Sequence, residues 1–106
     1  KKQWIAFTLK QKGDIVVDEG AKKAVLEKGK SLLPSGVIEV QGRFGIGACV
    51  RLVDQKARVI GKGLVNYSSS DIIKIRGLKT SEIEKRLEFK HSDEVIHRDN
   101  MVITQE

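Results

Sequence analysis

The amino-acid sequence predicts a small, mostly β fold with short helices, of the barrel or sandwich kind. Two patterns point there. Short segments of alternating apolar and polar residues recur along the chain, each bounded by Gly, Pro, Asn or Asp turn signals. Helical signals are confined to one stretch near the start and to the region after Ser68. The length of 106 residues adds a limit, since it suits one domain with a single core.

In chain order, Ile5–Leu9 alternates and reads as a strand, broken by Gly13-Asp14. The β-branched run Ile15–Val17 reads as a buried strand. Asp18 then offers a helix N-cap, with Glu19 in the first turn where the helix dipole favours acid. Ala21, Ala24, Val25 and Lys28 share a face of the helix predicted from Glu19 to Lys28, and Gly29 supplies its C-terminal stop. Leu32 and Leu33 are expected to enter the core before the turn Pro34-Ser35-Gly36. Val37–Gly42 and Ala48–Asp54 alternate as strands, and Val59–Tyr67 resumes the sheet. Gly61 and Gly63 inside that last segment suggest a bulge or bend. After Ser68 the pattern turns helical. Ser68 and Asp71 stand three apart before Ile72, Ile73 and Ile75, and Ser81 and Glu84 have capping-box spacing before Leu87. The last apolar runs, Glu94–His97 and Met101–Thr104, read as strands flanking a polar turn at Arg98-Asp99-Asn100.

Charge is unevenly placed. The net charge is +6, and the basic excess lies in residues 1–35 (eight Lys and Arg against four acids) and 43–79 (eight against two). Residues 80–106 reverse the sign, with four against seven. A basic body of this kind suits a polyanionic partner. No apolar run approaches the ~18 residues of a membrane span, and no signal-peptide pattern opens the chain, so no membrane partner is expected. The single Cys49 rules out an internal disulfide framework, fits a reducing cytoplasm and reads as a buried hydrophobe. The sequence opens on Lys1, with its only methionine at Met101, and a piece of a longer protein is expected.

Three stretches imitate catalytic motifs. Gly29-Lys30-Ser31 ends like a phosphate-binding loop. Such a loop needs a glycine at position 24, where Ala24 stands, and leads into a helix rather than out of one. His97-Arg98-Asp99-Asn100 imitates a protein-kinase catalytic loop, but Thr104 occupies the asparagine position and no Asp-Phe-Gly follows. Gly45-Ile46-Gly47 starts a dinucleotide fingerprint in which Val50 replaces the third glycine. His91, His97 and one cysteine are too few for a zinc site. No catalytic, cofactor-binding or metal-ligating residue is assigned.

The run from Val16 to Ser69, with "DEGA", "SLLPSGV", "RFGIGACVRLVD" and "VIGKGLVNYSS" in order, resembles a PUA domain, the module named for pseudouridine synthases and archaeosine transglycosylases. The flanking "KQWIAFTL", "KTSEIEKRL" and "DEVIHRDNMV" narrow the similarity to the C-terminal domain of the glutamate 5-kinase family. This resemblance implies a PUA-like pseudo-barrel of five or six mixed strands. It implies that residues 1–13 form a linker and entry strand from a missing N-terminal amino-acid-kinase domain, and that 14–106 form the PUA domain with a C-terminal helix and closing strands. The parent would be a cytoplasmic enzyme that phosphorylates the γ-carboxylate of glutamate with ATP and Mg2+, opening proline biosynthesis. Its catalytic and feedback sites would lie in the kinase domain, with no cofactor held by this chain.

For the domain itself two roles compete. One is regulatory or structural, packing on the kinase domain or on a neighbouring subunit of a homo-oligomer through an apolar face formed by Ile72, Ile73, Ile75 and Leu78. The other is RNA binding. Similar domains bind RNA along the first helix and the connection after it, which here gives Lys22, Lys23, Lys28, Gly29, Lys30, Ser31 and Gly36. Lysines there would neutralise phosphates and glycines would admit the backbone. Stacking aromatics are scarce: Trp4, Phe7 and Phe44 sit in segments that suit core packing.

Overall fold

A computed structural model describes residues 9–104. The strand expected at Ile5–Leu9 lies almost wholly outside the described residues. Among the described residues the architecture is a five-stranded mixed sheet with three short α-helices packed on it. The strands are β1 (Asp14–Val17), β2 (Val37–Gln41), β3 (Cys49–Val53), β4 (Val59–Leu64) and β5 (Met101–Ile103). The helices are α1 (Glu19–Lys28), α2 (Ser69–Ile75) and α3 (Ile83–Leu87). The sheet order is β2-β1-β3-β4-β5. β1 and β3 are parallel and the other neighbours antiparallel.

The chain forms α1 for the local reasons its sequence supplies. Asp18 Oδ1 accepts from the Ala21 N–H at 2.7 Å, Glu19 lies in the first turn, and Gly29 ends the helix in the left-handed region at φ 60°. There the Lys30 N–H reaches back to the Ala24 carbonyl at 3.0 Å, the closure typical of a left-handed cap. Ser68 caps α2 by accepting from the Asp71 N–H at 3.3 Å. The box expected at Ser81 does not form. A 3-10 turn occupies Thr80–Glu82, and α3 starts after it without a side-chain cap.

The core lies between the sheet and the helices. Ile15, Val17, Val50, Leu52 and Ile60 come from the strands; Val25, Ile72, Ile75 and Ile83 come from the helices. Burial of such side chains contributes ~1.5–3 kcal/mol each before entropy is counted. Tyr67 is fully buried. Its hydroxyl accepts from the His91 and Ser92 amides and donates to the Ser92 carbonyl, so no polar atom is left bare.

The expected strand at Glu94–His97 is replaced by a single bridge, Leu32 to Ile96. That bridge, with the Asn66 N–H donating to the Val95 carbonyl at 2.8 Å, draws the C-terminal segment across the end of the sheet. Among the described residues β2 and β5 are the two outer strands, so the sheet described is a pseudo-barrel rather than a closed ladder. Leu33 departs from expectation: Leu32 is fully buried, whereas Leu33 is 42% exposed. Leu32 pairs with Ile96 and points inward; the next side chain must then face out, as in any extended backbone.

Candidate functional site

Beside the predicted RNA-contact residues lies a groove of about 380 Å³ between α1 and the connection that follows it. Its floor is made by small side chains. Gly36 lies so close to Ala21 that a Cβ on the glycine would stand 2.4 Å from the Ala21 methyl. Ala24 and Gly20 continue the floor, Leu33 forms an apolar wall, and Lys28, Lys30, Ser31 and Ser35 stand at the rim with Asp18 at the far end. The exposed Leu33 is thus a groove residue.

The structure gathers Lys28, Lys30, Ser31 and Gly36 around this groove. Gly29 lies in an adjoining notch, shared with Lys30 and lined also by Val25, Arg98, Met101 and Ile103. Lys23 is exposed on α1 outside the groove. Lys22 is turned away, its ammonium 2.8 Å from Asp54 Oδ2. Among the described residues Lys28 and Lys30 form no ion pair, so their charge is available to an incoming anion.

Among the described residues Asp54 is the one buried carboxylate. Besides Lys22 it accepts from the Arg58 and Lys56 amides, each at 2.9 Å, and from Arg58 Nε at 3.1 Å. The Lys22 hydrogen bond first, and the Arg58 amide next, hold its carboxyl well below the usual carboxylate range, against burial that pushes the other way. This is a clasp between α1 and the β3–β4 turn. Arg51 and Asp14 form a two-pronged pair across β3 and β1, at 2.7 and 2.8 Å. Cys49 is buried, and burial raises its thiol pKa, so it is a poor nucleophile.

The motif look-alikes are spent on local structure. Lys30 follows the carbonyl end of α1, where the dipole repels phosphate, and Ser31 Oγ accepts from the Arg98 N–H at 2.8 Å. These residues do not fit a nucleotide phosphate site. His97 Nδ1 accepts from the Asp99 N–H at 3.1 Å and thereby caps the turn Arg98–Asn100.

Sequence reasoning missed Leu33 and Asp18 as groove residues, and Arg98 beside Lys30. Asp18, Ala21 and Ala24 recur at helical spacing and were readable as one face. Arg98 carried no local signal, because its place depends on a contact spanning 67 residues. The apolar face expected from Ile72, Ile73, Ile75 and Leu78 resolves differently: Ile72 and Ile75 are buried, Leu78 is half-buried, and Ile73 is 49% exposed.

Comparison with known proteins places this geometry. The PUA domain family model matches residues 13–87. The chain is 53% identical over 99% of its length to the glutamate 5-kinase of Thermoanaerobacter sp. strain X514, of which it covers 28%. Among solved structures, a PUA domain from Aeropyrum pernix K1, in complex with tartrate, superposes with a TM-score of 0.59 at 25% identity, over 81% of this chain and 41% of that one. An archaeal box H/ACA sRNP Nop10-Cbf5 complex gives a TM-score of 0.56 at 21% identity, over 62% of this chain and 21% of that one.

Proposed function

This chain belongs to the PUA domain family, and from that premise we propose that it is the C-terminal module of a glutamate 5-kinase, non-catalytic itself and regulatory or structural in role. The observation that carries the reading is the 53% identity that extends over 99% of the chain to a relative of which it spans only 28%. The longer protein would phosphorylate L-glutamate with ATP and Mg2+ through residues outside this chain. Supporting a non-catalytic role, groups that imitate catalytic motifs serve other ends: Ser31 is bonded to Arg98 and His97 to Asp99. The test is a comparison of the full-length enzyme with one lacking residues 1–106 of this module. Turnover of glutamate persists, while inhibition by proline or the subunit mass changes. A coupling of ~1–3 kcal/mol shifts an inhibition constant about fivefold or more. Identical proline curves and identical masses overturn the regulatory role.

A second reading, RNA binding, is favoured by one observation: Lys28 and Lys30, which form no ion pair among the described residues, line a groove with small residues at Gly20, Ala21, Ala24 and Gly36. Its affinity would be electrostatic, since those two cations flank apolar walls rather than stacking aromatics.

A further inference from the structure

The connection after α1 runs extended, with Leu33 at φ −96° and ψ 157°. One edge of it is used. The Leu32 N–H donates to the Ile96 carbonyl at 2.9 Å, and the Leu32 carbonyl accepts from the Val95 N–H at 2.8 Å. Along an extended chain the peptide groups of successive residues turn to opposite edges. The Ser31 carbonyl and the Leu33 N–H therefore belong to the other edge, and among the described residues neither makes a hydrogen bond. Both residues line the groove against α1. Pro34 has no N–H to offer and ends this edge.

An acceptor and a donor left open on one edge of an extended segment invite a second strand. Recognition of an extended peptide joins such main-chain bonds, which hold it, to side-chain pockets, which select it. The groove supplies the pocket. Gly20, Ala21, Ala24 and Gly36 keep its floor low, and the exposed Leu33 gives it an apolar wall. From Gly20 to Lys28 the helix advances about 12 Å at ~1.5 Å per residue. About four residues of extended chain, at ~3.3 Å each, match that length.

The two ends of the groove differ in charge. Lys28 and Lys30 stand at one end, and Lys30 shares the adjoining notch with Arg98. None of these three forms an ion pair among the described residues. Asp18 stands at the other end, followed by Glu19 in the chain. A nucleic-acid strand laid along the whole groove would bring phosphates against Asp18, where like charges repel. It would also find no aromatic ring in the lining to stack on. A peptide carries charge only where its side chains place it.

We propose that this groove binds an extended acidic peptide segment, held by the open edge of Ser31 and Leu33. Small or aliphatic side chains of the peptide rest on the floor, and an Asp or Glu lies at the end formed by Lys28 and Lys30. The peptide donates an N–H to the Ser31 carbonyl and accepts from the Leu33 N–H. The inference goes beyond the regulatory reading and stands whether or not the longer protein phosphorylates glutamate.

The test pans a library of random hexapeptides against this chain and measures the enriched peptides by fluorescence anisotropy. The enriched sequences carry Asp or Glu at one end beside small or aliphatic residues. Lys28→Glu and Lys30→Glu each weaken their binding about tenfold or more. Lys23→Glu makes the same charge change on α1 outside the groove and leaves binding within about twofold. All three lysines are exposed, so the variants keep the fold. Methylating the peptide's backbone nitrogens one at a time finds one position that costs about tenfold, the amide that donates to the Ser31 carbonyl. Failure to enrich any peptide, or enrichment without an acidic preference, overturns the proposal. Equal losses from Lys23→Glu and Lys30→Glu overturn it, since net charge alone would then explain the binding. Tolerance of methylation at every backbone nitrogen also overturns it. Single-stranded oligouridylate that binds more tightly than every enriched peptide at ~0.15 M salt, and displaces them, overturns it and assigns the groove to RNA.

Discussion

Lys22 Nζ lies 2.8 Å from Asp54 Oδ2, across 32 residues of sequence, and joins α1 to the turn between β3 and β4. The carboxyl is buried and held well below the usual range by Lys22 first and the Arg58 amide next. The sign follows. An unfolded aspartate titrates near ~3.9, so the clasp stabilises fully above that pH and loses its contribution as pH falls toward the lower folded value. Asp54→Asn is expected to lower stability at pH 7 and to flatten the fall in stability between about pH 5 and pH 2. Chemical denaturation across that range checks it. A variant whose acid profile parallels the wild type would place the acid sensitivity elsewhere.

Leu32 and Leu33 should differ sharply despite being neighbours. Leu32 is fully buried and Leu33 is 42% exposed. Leu32→Ala should cost ~2–5 kcal/mol, and Leu33→Ala within ~0.5 kcal/mol. Urea midpoints measured side by side decide it. Similar losses for both would mean that Leu33 is packed rather than open to the groove.

These pairs also show what the sequence could and could not tell. α1 was readable to its ends because its signals are local: Asp18 caps it, Glu19 suits its first turn, and Gly29 takes φ 60°. β1 followed from its β-branched run, β2 and β3 from alternation between turn residues, and β4 from the segment that resumes the sheet after them. Which of two adjacent leucines faces inward was not readable, because Leu32 is chosen by its bridge to Ile96, far along the chain. Lys22 looked like its neighbours Lys23 and Lys28, since its partner Asp54 is brought near only by folding. At the candidate groove the basic rim was legible, while the exposed Leu33 and the approach of Arg98 to Lys30 required the fold.

The Gly29-Lys30-Ser31 stretch should be silent toward nucleotides. Lys30 stands past the carbonyl end of α1, and the Ser31 hydroxyl is engaged with Arg98. Titration calorimetry with Mg-ATP on this chain should show no saturable heat. Saturable binding that Lys30→Ala removes would overturn this assignment.

Polyanion binding, where it occurs, should depend on Lys28 and Lys30 and not on Lys22. Each phosphate contact to a single strand contributes about −0.7 to the slope of log K against log salt. Lys28→Ala and Lys30→Ala should each make the slope shallower by about that amount. Lys22→Met should leave it unchanged, because that ammonium is already paired with Asp54. A slope that responds to Lys22 as it does to Lys30 would mean that the groove is not where the strand lies.

Gly61 and Gly63 allow the C-terminal segment to reach the sheet. The residues of β4 pair with β5 as Gly61 with Ile103 and Gly63 with Met101. A Cβ at Gly61 would stand 2.5 Å from the Val102 carbonyl oxygen, and one at Gly63 would stand 2.7 Å from Ile96 Cγ2. The bulge expected near these glycines is present on the other side of β4, where the register against β3 shifts between Leu52 and Val53. At Gly61 the obstacle is backbone, which cannot swing aside as a side chain can. Gly61→Ala should therefore push β5 outward, at a cost of ~1–3 kcal/mol typical of overpacking, and should expose residues 101–104 to faster amide exchange. Gly45→Ala is the control, since a Cβ there meets nothing within 4 Å and its φ is not positive. It should be neutral or slightly stabilising through loss of unfolded-state freedom. If Gly61→Ala melts with the control and β5 exchanges no faster, the close approach of β5 to β4 is not what the glycine serves.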